Sequence, residues 1–184
     1  MREFNNIEAS GGFYSRYLRE KVEKERSLTS KLEVKLQERP LIEFVSYCLN
    51  PNHFHFLVKQ ISGNGVVKFM QKLGTAYTMF FNQKCNRSGS LFQGTYKAIH
   101  VNDYGYLLKL LVYVNCNHEI HNLSKAENWP WASYLDSIGL RNGNLCNLEI
   151  IREEFGEPAN FKAFCREIMT EIKENKALKK YLLE

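Results

Sequence analysis

Asn50-Pro51-Asn52-His53-Phe54-His55-Phe56 is the stretch whose residue types can do chemistry. Side chains of a β-strand alternate between its faces, so His53 and His55 point one way and Phe54 and Phe56 the other. The Phe face can pack under helices while the His pair stays accessible. Two neutral imidazoles at that spacing can grip one metal ion. Two half-exposed strand histidines with no ligand are the plain alternative. No Cys, Asp or Glu stands nearby in sequence to close a structural zinc centre, so a further ligand must come from elsewhere. Tyr113 and Asn117 are four residues apart, on one face of an expected helix. The Asn117 amide oxygen would complete a set of two nitrogens and one oxygen. Such a set leaves positions open for water or phosphate, which suits Mg²⁺ or Mn²⁺ better than closed tetrahedral zinc. Tyr113 then lies one turn away as a nucleophile. Structural roles stand against both assignments. Tyr113 follows Leu110 by three and Tyr106 by seven, as a buried aromatic on a helix stripe would. Asn117 can equally end a helix as its C-cap.

These residues need elements to position them. Residues 11–38 read as one helix or two, with Tyr14, Tyr17, Leu18, Val22, Leu28, Leu32 and Leu36 recurring at spacings near three or four, and Pro40 ends them. Residues 41–49 and 54–58 are rich in β-branched and aromatic types and predict two strands, joined by the turn residues Asn50, Pro51 and Asn52. Ser62 to Gly65 open a second helix whose stripe is Val66, Phe69, Met70, Leu73, Tyr77, Phe80 and Phe81, ending near Asn82. A polar loop follows, and a further strand is expected over 96–101. Asn102 or Asp103 caps a third helix that runs to about Asn117. Beyond a Trp129-Pro130-Trp131 turn, residues 148–184 read as a charged helical tail.

This order predicts an α+β fold: a ferredoxin-like antiparallel sheet with helices on one face and a C-terminal helical tail. The ferredoxin-like pattern needs one more strand before the first helix, which residues 1–10 hardly supply. Three segments follow: an N-terminal helical segment (1–39), a core (40–135) and a tail (136–184).

Composition bounds the class. The chain has 184 residues, 44% hydrophobic and 24% charged, as soluble globular proteins do. That length suits one domain and is long enough to bury a real core. No apolar run approaches the roughly 20 residues of a membrane span, and the N-terminus lacks the apolar stretch of a signal peptide. Five cysteines at wide spacings (48, 85, 116, 146 and 165) disfavour a disulfide framework and fit a reducing cytoplasm. The net charge of +5 permits nucleic acid as a partner without demanding it. Lys68, Lys72, Lys84, Arg87 and Lys97 surround the second helix and the next strand and are candidates for phosphate contacts; a solvated charged face is their plain reading. Trp129 and Trp131 can stack on bases, but a Trp-Pro-Trp turn fits an apolar clamp better.

Four blocks in order carry a family resemblance: YCLNPNHFHFLV (47–58), GSLFQGTYKAIHV (89–101), YLLKLLVYVNCNHEIHNL (106–123) and WPWASY (129–134). Over about residues 40–135 the chain resembles the REP-associated tyrosine transposases, which belong with the insertion-sequence single-strand transposases in the HUH nuclease superfamily. The resemblance implies that His53 and His55 bind the metal, that Asn117 is its polar ligand, and that Tyr113 is the nucleophile. It implies Mg²⁺ or Mn²⁺ as cofactor and single-stranded or hairpin DNA as substrate, cut through a 5′-phosphotyrosine link and rejoined by a 3′-hydroxyl. Relatives include dimers that exchange the tyrosine helix, while the repeat-associated branch resembles monomers. Two departures stand out. The family's usual first strand, with its His- and Arg-bearing segment, is not recognisable here, and His118 stands where Pro often follows the helix asparagine. The missing strand keeps two other readings open: a hairpin-DNA-binding protein that has lost catalysis, and a non-enzymatic interaction domain.

Overall fold

The structure, a computed structural model, describes residues 40–174. The expected helix over 11–38, any strand before it and the last ten residues of the tail lie outside the described residues. Within them the fold is α+β. Strands β1 (Ile42–Leu49) and β2 (Phe54–Gln60) pair in a two-stranded sheet. They are followed by α1 (Gly65–Lys84), α2 (Tyr104–Asn115), α3 (Asn117–Ile120), a 3-10 turn (Ala126–Asn128), α4 (Tyr134–Ser137), α5 (Glu149–Phe155) and α6 (Pro158–Glu174).

Among the described residues the chain forms two compact units. One comprises 40–42 with Gln60–Tyr96; the other comprises Glu43–Lys59 with 97–174. In the first, α1 starts where Ile61 and Ser62 donate their amides to the Leu41 carbonyl (3.1 and 3.2 Å). Gly65 is required there, because a Cβ would run into that same carbonyl. The expected stripe of α1 is broader than the face it buries. Phe69 and Ala76 are buried, whereas Tyr77 and Phe80 are each 47% exposed.

The second unit holds the main core. β1 alternates strictly, burying Ile42, Phe44, Ser46 and Cys48, as a period of two requires. Asp103 caps α2, its carboxylate accepting the Tyr106 amide at 2.6 Å. From Leu110 to His118 every residue is buried. Leu111, Val114 and Cys116 share one cluster with Phe161, Cys165, Ile168 and Ile172 of α6, and with Tyr134 and Ile138 from the α4 region. α2 is shorter than expected: it ends at Asn115, and Asn117 begins the next short helix. All five cysteines are free thiols. No described helix is long and apolar enough to cross a membrane.

The strand expected over 96–101 does not form, and the segment is irregular, with Tyr96 and Ile99 exposed. An extended run becomes a strand only when a neighbour takes its backbone groups. β1 instead pairs part of its backbone with segments not read as strands: Leu49 N–H donates to Trp131 O, Tyr47 O accepts from Ser133 N–H, and Phe44 O accepts from Asn147 N–H, at 2.8–2.9 Å.

Buried polar groups lock this arrangement. Ser133 Oγ accepts the Tyr47 amide (2.9 Å) and donates to Asn115 Oδ1 (2.7 Å), while Asn115 Nδ2 donates to the Leu111 carbonyl (2.9 Å). Arg141 forks onto both Asp136 oxygens (2.7 Å each) and reaches the carbonyls of Pro130 and Ala132 (2.6 Å each). The Trp-Pro-Trp turn divides its two indoles. Trp129 lies flat on His118, 3.7 Å between ring centroids and 7° between planes, and donates to Leu49 O at 3.0 Å. Trp131 is 60% exposed.

Two stability measurements follow from this packing. Ser133→Ala leaves no cavity of consequence but strands the Tyr47 N–H and leaves Asn115 Oδ1 only its longer 3.5 Å bond from Ser137, so chemical denaturation should show a loss of about 1–3 kcal/mol. Trp129→Ala should cost about 2–3 kcal/mol through the lost stack and indole bond, whereas Trp131→Ala should stay within about 0.5 kcal/mol. Equal costs for the two tryptophans would contradict the described packing.

Candidate active site

The hairpin turn closes where Asn50 N–H donates to His53 O at 2.9 Å. It leaves His53 just ahead of β2 and His55 one strand period later. Their rings lie edge to face with centroids 5.1 Å apart, on the same face as alternation demands. Phe54 and Phe56 stack on the opposite face at 4.6 Å, and Phe56 meets Phe44 of β1 edge-on at 5.3 Å. His53 is exposed and His55 half-buried.

Helix α2 brings Tyr113 against this pair. Its ring meets His55 edge-on with centroids 5.4 Å apart, and it is only 1% exposed. Burial fits the helix-stripe reading and the His55 contact fits the nucleophile reading; the two are compatible. Asn117, fully buried at the start of α3, completes the group. His121 joins from the end of that helix, its ring 6.2 Å from His53.

A hydrogen-bonded chain of amides and imidazoles connects these residues. Asn52 Oδ1 accepts only, so its 2.7 Å contact with His53 Nδ1 assigns the proton of His53 to Nδ1. His53 Nε2 is therefore a bare lone pair, and Asn50 Nδ2 donates to it at 2.8 Å. The same Asn50 Nδ2 donates to Asn117 Oδ1 at 2.6 Å. Asn50 Oδ1 accepts from His118 Nδ1 at 3.1 Å. Burial, then the nearby His121, holds His118 below the usual imidazole range, favouring its neutral form. Asn117 Nδ2 is buried with no hydrogen-bond partner.

This donor set fits a divalent cation. An imidazole lone pair and an amide oxygen converge on one position, a second imidazole stands beside them, and the outer nitrogen of His53 is already fixed by a carbonyl-type acceptor, as second-shell partners fix metal-binding histidines. The set is two histidines and an amide; among the described residues no group of three His, Cys, Asp or Glu side chains is gathered for a metal.

The structure thus brings together His53, His55, Tyr113 and Asn117. Of the candidate phosphate contacts, four belong to the first unit and one to the second. In the first unit, exposed Lys68 donates to the Gly63 carbonyl (3.3 Å) and Lys72 is half-buried. Lys84 lies over Phe80 and Arg87 over Phe81, each 5.8 Å from the ring centre. Lys97, in the second unit, is exposed on the irregular segment. Sequence reasoning missed Asn50, Asn52 and the His118–Trp129 stack. The available signal is two asparagines flanking Pro51 beside a histidine, a pattern that turn chemistry alone also explains.

No curated protein and no solved structure matches the chain. The family model described as "Transposase IS200 like" matches residues 12–117, more than half of the 184. That span takes in His53, His55, Tyr113 and Asn117. The chain therefore belongs to the IS200-like transposase family, with a transposase-like role and DNA as its partner.

Proposed function

We infer that the chain is a metal-dependent single-stranded DNA endonuclease and strand transferase that works through Tyr113. The observation that carries this reading is the edge-to-face contact of Tyr113 with His55, beside His53 and the Asn117 amide. His53, His55 and Asn117 would hold Mg²⁺ or Mn²⁺. When bound, the cation supplies Lewis-acid polarisation of the scissile phosphate.

Tyr113 does the covalent work. Its Oη bonds to phosphorus and loses its proton to solvent. The bond to the 3′-oxygen breaks, and that oxygen leaves as a hydroxyl once protonated. The 5′-phosphate stays on the tyrosine until a 3′-hydroxyl attacks and rejoins DNA. A tyrosine of ordinary pKa near 10 is a poor nucleophile at neutral pH, so it needs such a site. Since Tyr113 is 1% exposed, DNA binding must uncover it. Lys68, Lys72, Lys84, Arg87 and Lys97 are the proposed phosphate contacts. In this reading 40–135 is the catalytic core, flanked by the segments 1–39 and 136–184, and the protein acts in the cytoplasm.

The burial of Tyr113 favours one second reading, a hairpin-DNA-binding relative that no longer cuts. Labelled single-stranded hairpin DNA incubated with the protein and Mn²⁺ separates the two. The expected result is a covalent protein–DNA adduct, abolished by EDTA and reduced at least about 10³-fold in Tyr113→Phe and His55→Ala. Binding across varied hairpins without any adduct would establish the second reading instead.

A further inference from the structure

The position shared by His53 Nε2 and Asn117 Oδ1 is taken up by a side chain of the chain itself. Asn50 Nδ2 donates to both, at 2.8 and 2.6 Å. An amide NH₂ and a divalent cation present the same thing to those two atoms, namely positive charge directed at a lone pair. They cannot both be served there at once. The far end of the Asn50 carboxamide is held too: Oδ1 accepts from His118 Nδ1 at 3.1 Å and lies 3.6 Å from Cys48 Sγ. His118 is in turn pinned flat on Trp129, which is anchored to Leu49 O. The amide is therefore held at both ends, and its orientation is fixed by the His118 donor.

We propose that Asn50 is a latch on the metal site: its carboxamide holds His53 and Asn117 in register and must release them before a divalent cation binds. The proposal deepens the reading of His53, His55 and Asn117 as metal ligands and rests on it. Asn50 is a positioning residue in this scheme. A closed latch reduces apparent cation affinity by the fraction of molecules in which it is open. Removing the latch therefore tightens binding, an effect that a merely structural asparagine does not produce.

The experiment is a Mn²⁺ titration of the full chain without DNA, with free Mn²⁺ read by electron paramagnetic resonance. Wild type, Asn50→Ala, Asn50→Ser and His53→Ala are compared after circular dichroism has confirmed folding. The expected result is His53-dependent binding in the wild type that becomes about tenfold tighter in both Asn50 variants. In EDTA the Asn50 variants should melt below the wild type, and saturating Mn²⁺ should narrow the gap. Unchanged or weaker binding in the Asn50 variants, with the wild type still binding through His53, overturns the latch alone. Absence of His53-dependent binding in every protein overturns the metal reading and the latch with it. Should neither Asn50 variant fold, the Asn50 side-chain NH₂ resonances of the wild type decide: a shift on adding Mg²⁺ supports release, and unmoved resonances overturn it.

Discussion

Ser133 accepts the Tyr47 amide with the same oxygen that donates to Asn115, so one hydroxyl holds strand β1 and helix α2 at a fixed separation. The site hangs from that link. Tyr113 stands two residues before Asn115 and Asn117 two residues after, while Asn50 and His53 follow β1 through the hairpin turn. Shifting α2 along β1 by one residue would turn Tyr113 away from His55 and separate Asn117 from Asn50. Asn115 keeps its oxygen turned towards Ser133, because its amide nitrogen donates to Leu111 in the preceding turn of its own helix. A satisfied buried network of this kind specifies one arrangement among several that apolar packing would tolerate.

The parts of the site set by local periodicity were readable in advance. Alternation alone puts His53 and His55 on one face and the two phenylalanines on the other. The Asp103 cap and the stripe through Leu110, Leu111 and Val114 locate α2. Residues 41–49 and 54–58 were recognisable as strands because their pairing is local. The segment 96–101 also carries aromatic and β-branched residues (Tyr96, Ile99, Val101), yet it forms no strand, since part of the β1 backbone bonds to 131–133 and 147. That choice depends on contacts more than eighty residues apart, which no local pattern carries. The break at Cys116 was hidden for a similar reason: α2 stops within a fully buried run, without the glycine or proline that usually announces an end.

Asn50 was the least readable of all. An asparagine before proline has an ample local explanation as a turn former, and Asn117 is sixty-seven residues away. Only the fold places their amides 2.6 Å apart. Its consequence is also visible in what it leaves undone. Asn117 turns its oxygen to Asn50, and its own Nδ2 stays buried without a partner. Such an orphan costs roughly 1–3 kcal/mol. Exceptions to local rules concentrate at functional sites, and this one keeps an amide oxygen aimed at the position where His53 aims its lone pair.

Two lone pairs facing one point repel each other, so His53 Nε2 and Asn117 Oδ1 need a positive group between them. A neutral donor between them resolves this without a permanent charge. Two hydrogen bonds of ordinary strength contribute about 1–3 kcal/mol together, which corresponds to a factor of about 5–150 in an equilibrium. In the proposed latch, that is enough to hold His53 and Asn117 in register and too little to defeat a divalent cation at moderate concentration. A charged group in place of Asn50 would alter the balance in either direction: a lysine ammonium would compete far more strongly, and a carboxylate would bind the cation itself but repel the acceptors in its absence. A carboxamide, with a donor at one end for His53 and Asn117 and an acceptor at the other for His118, is the side chain that meets both requirements with its own length.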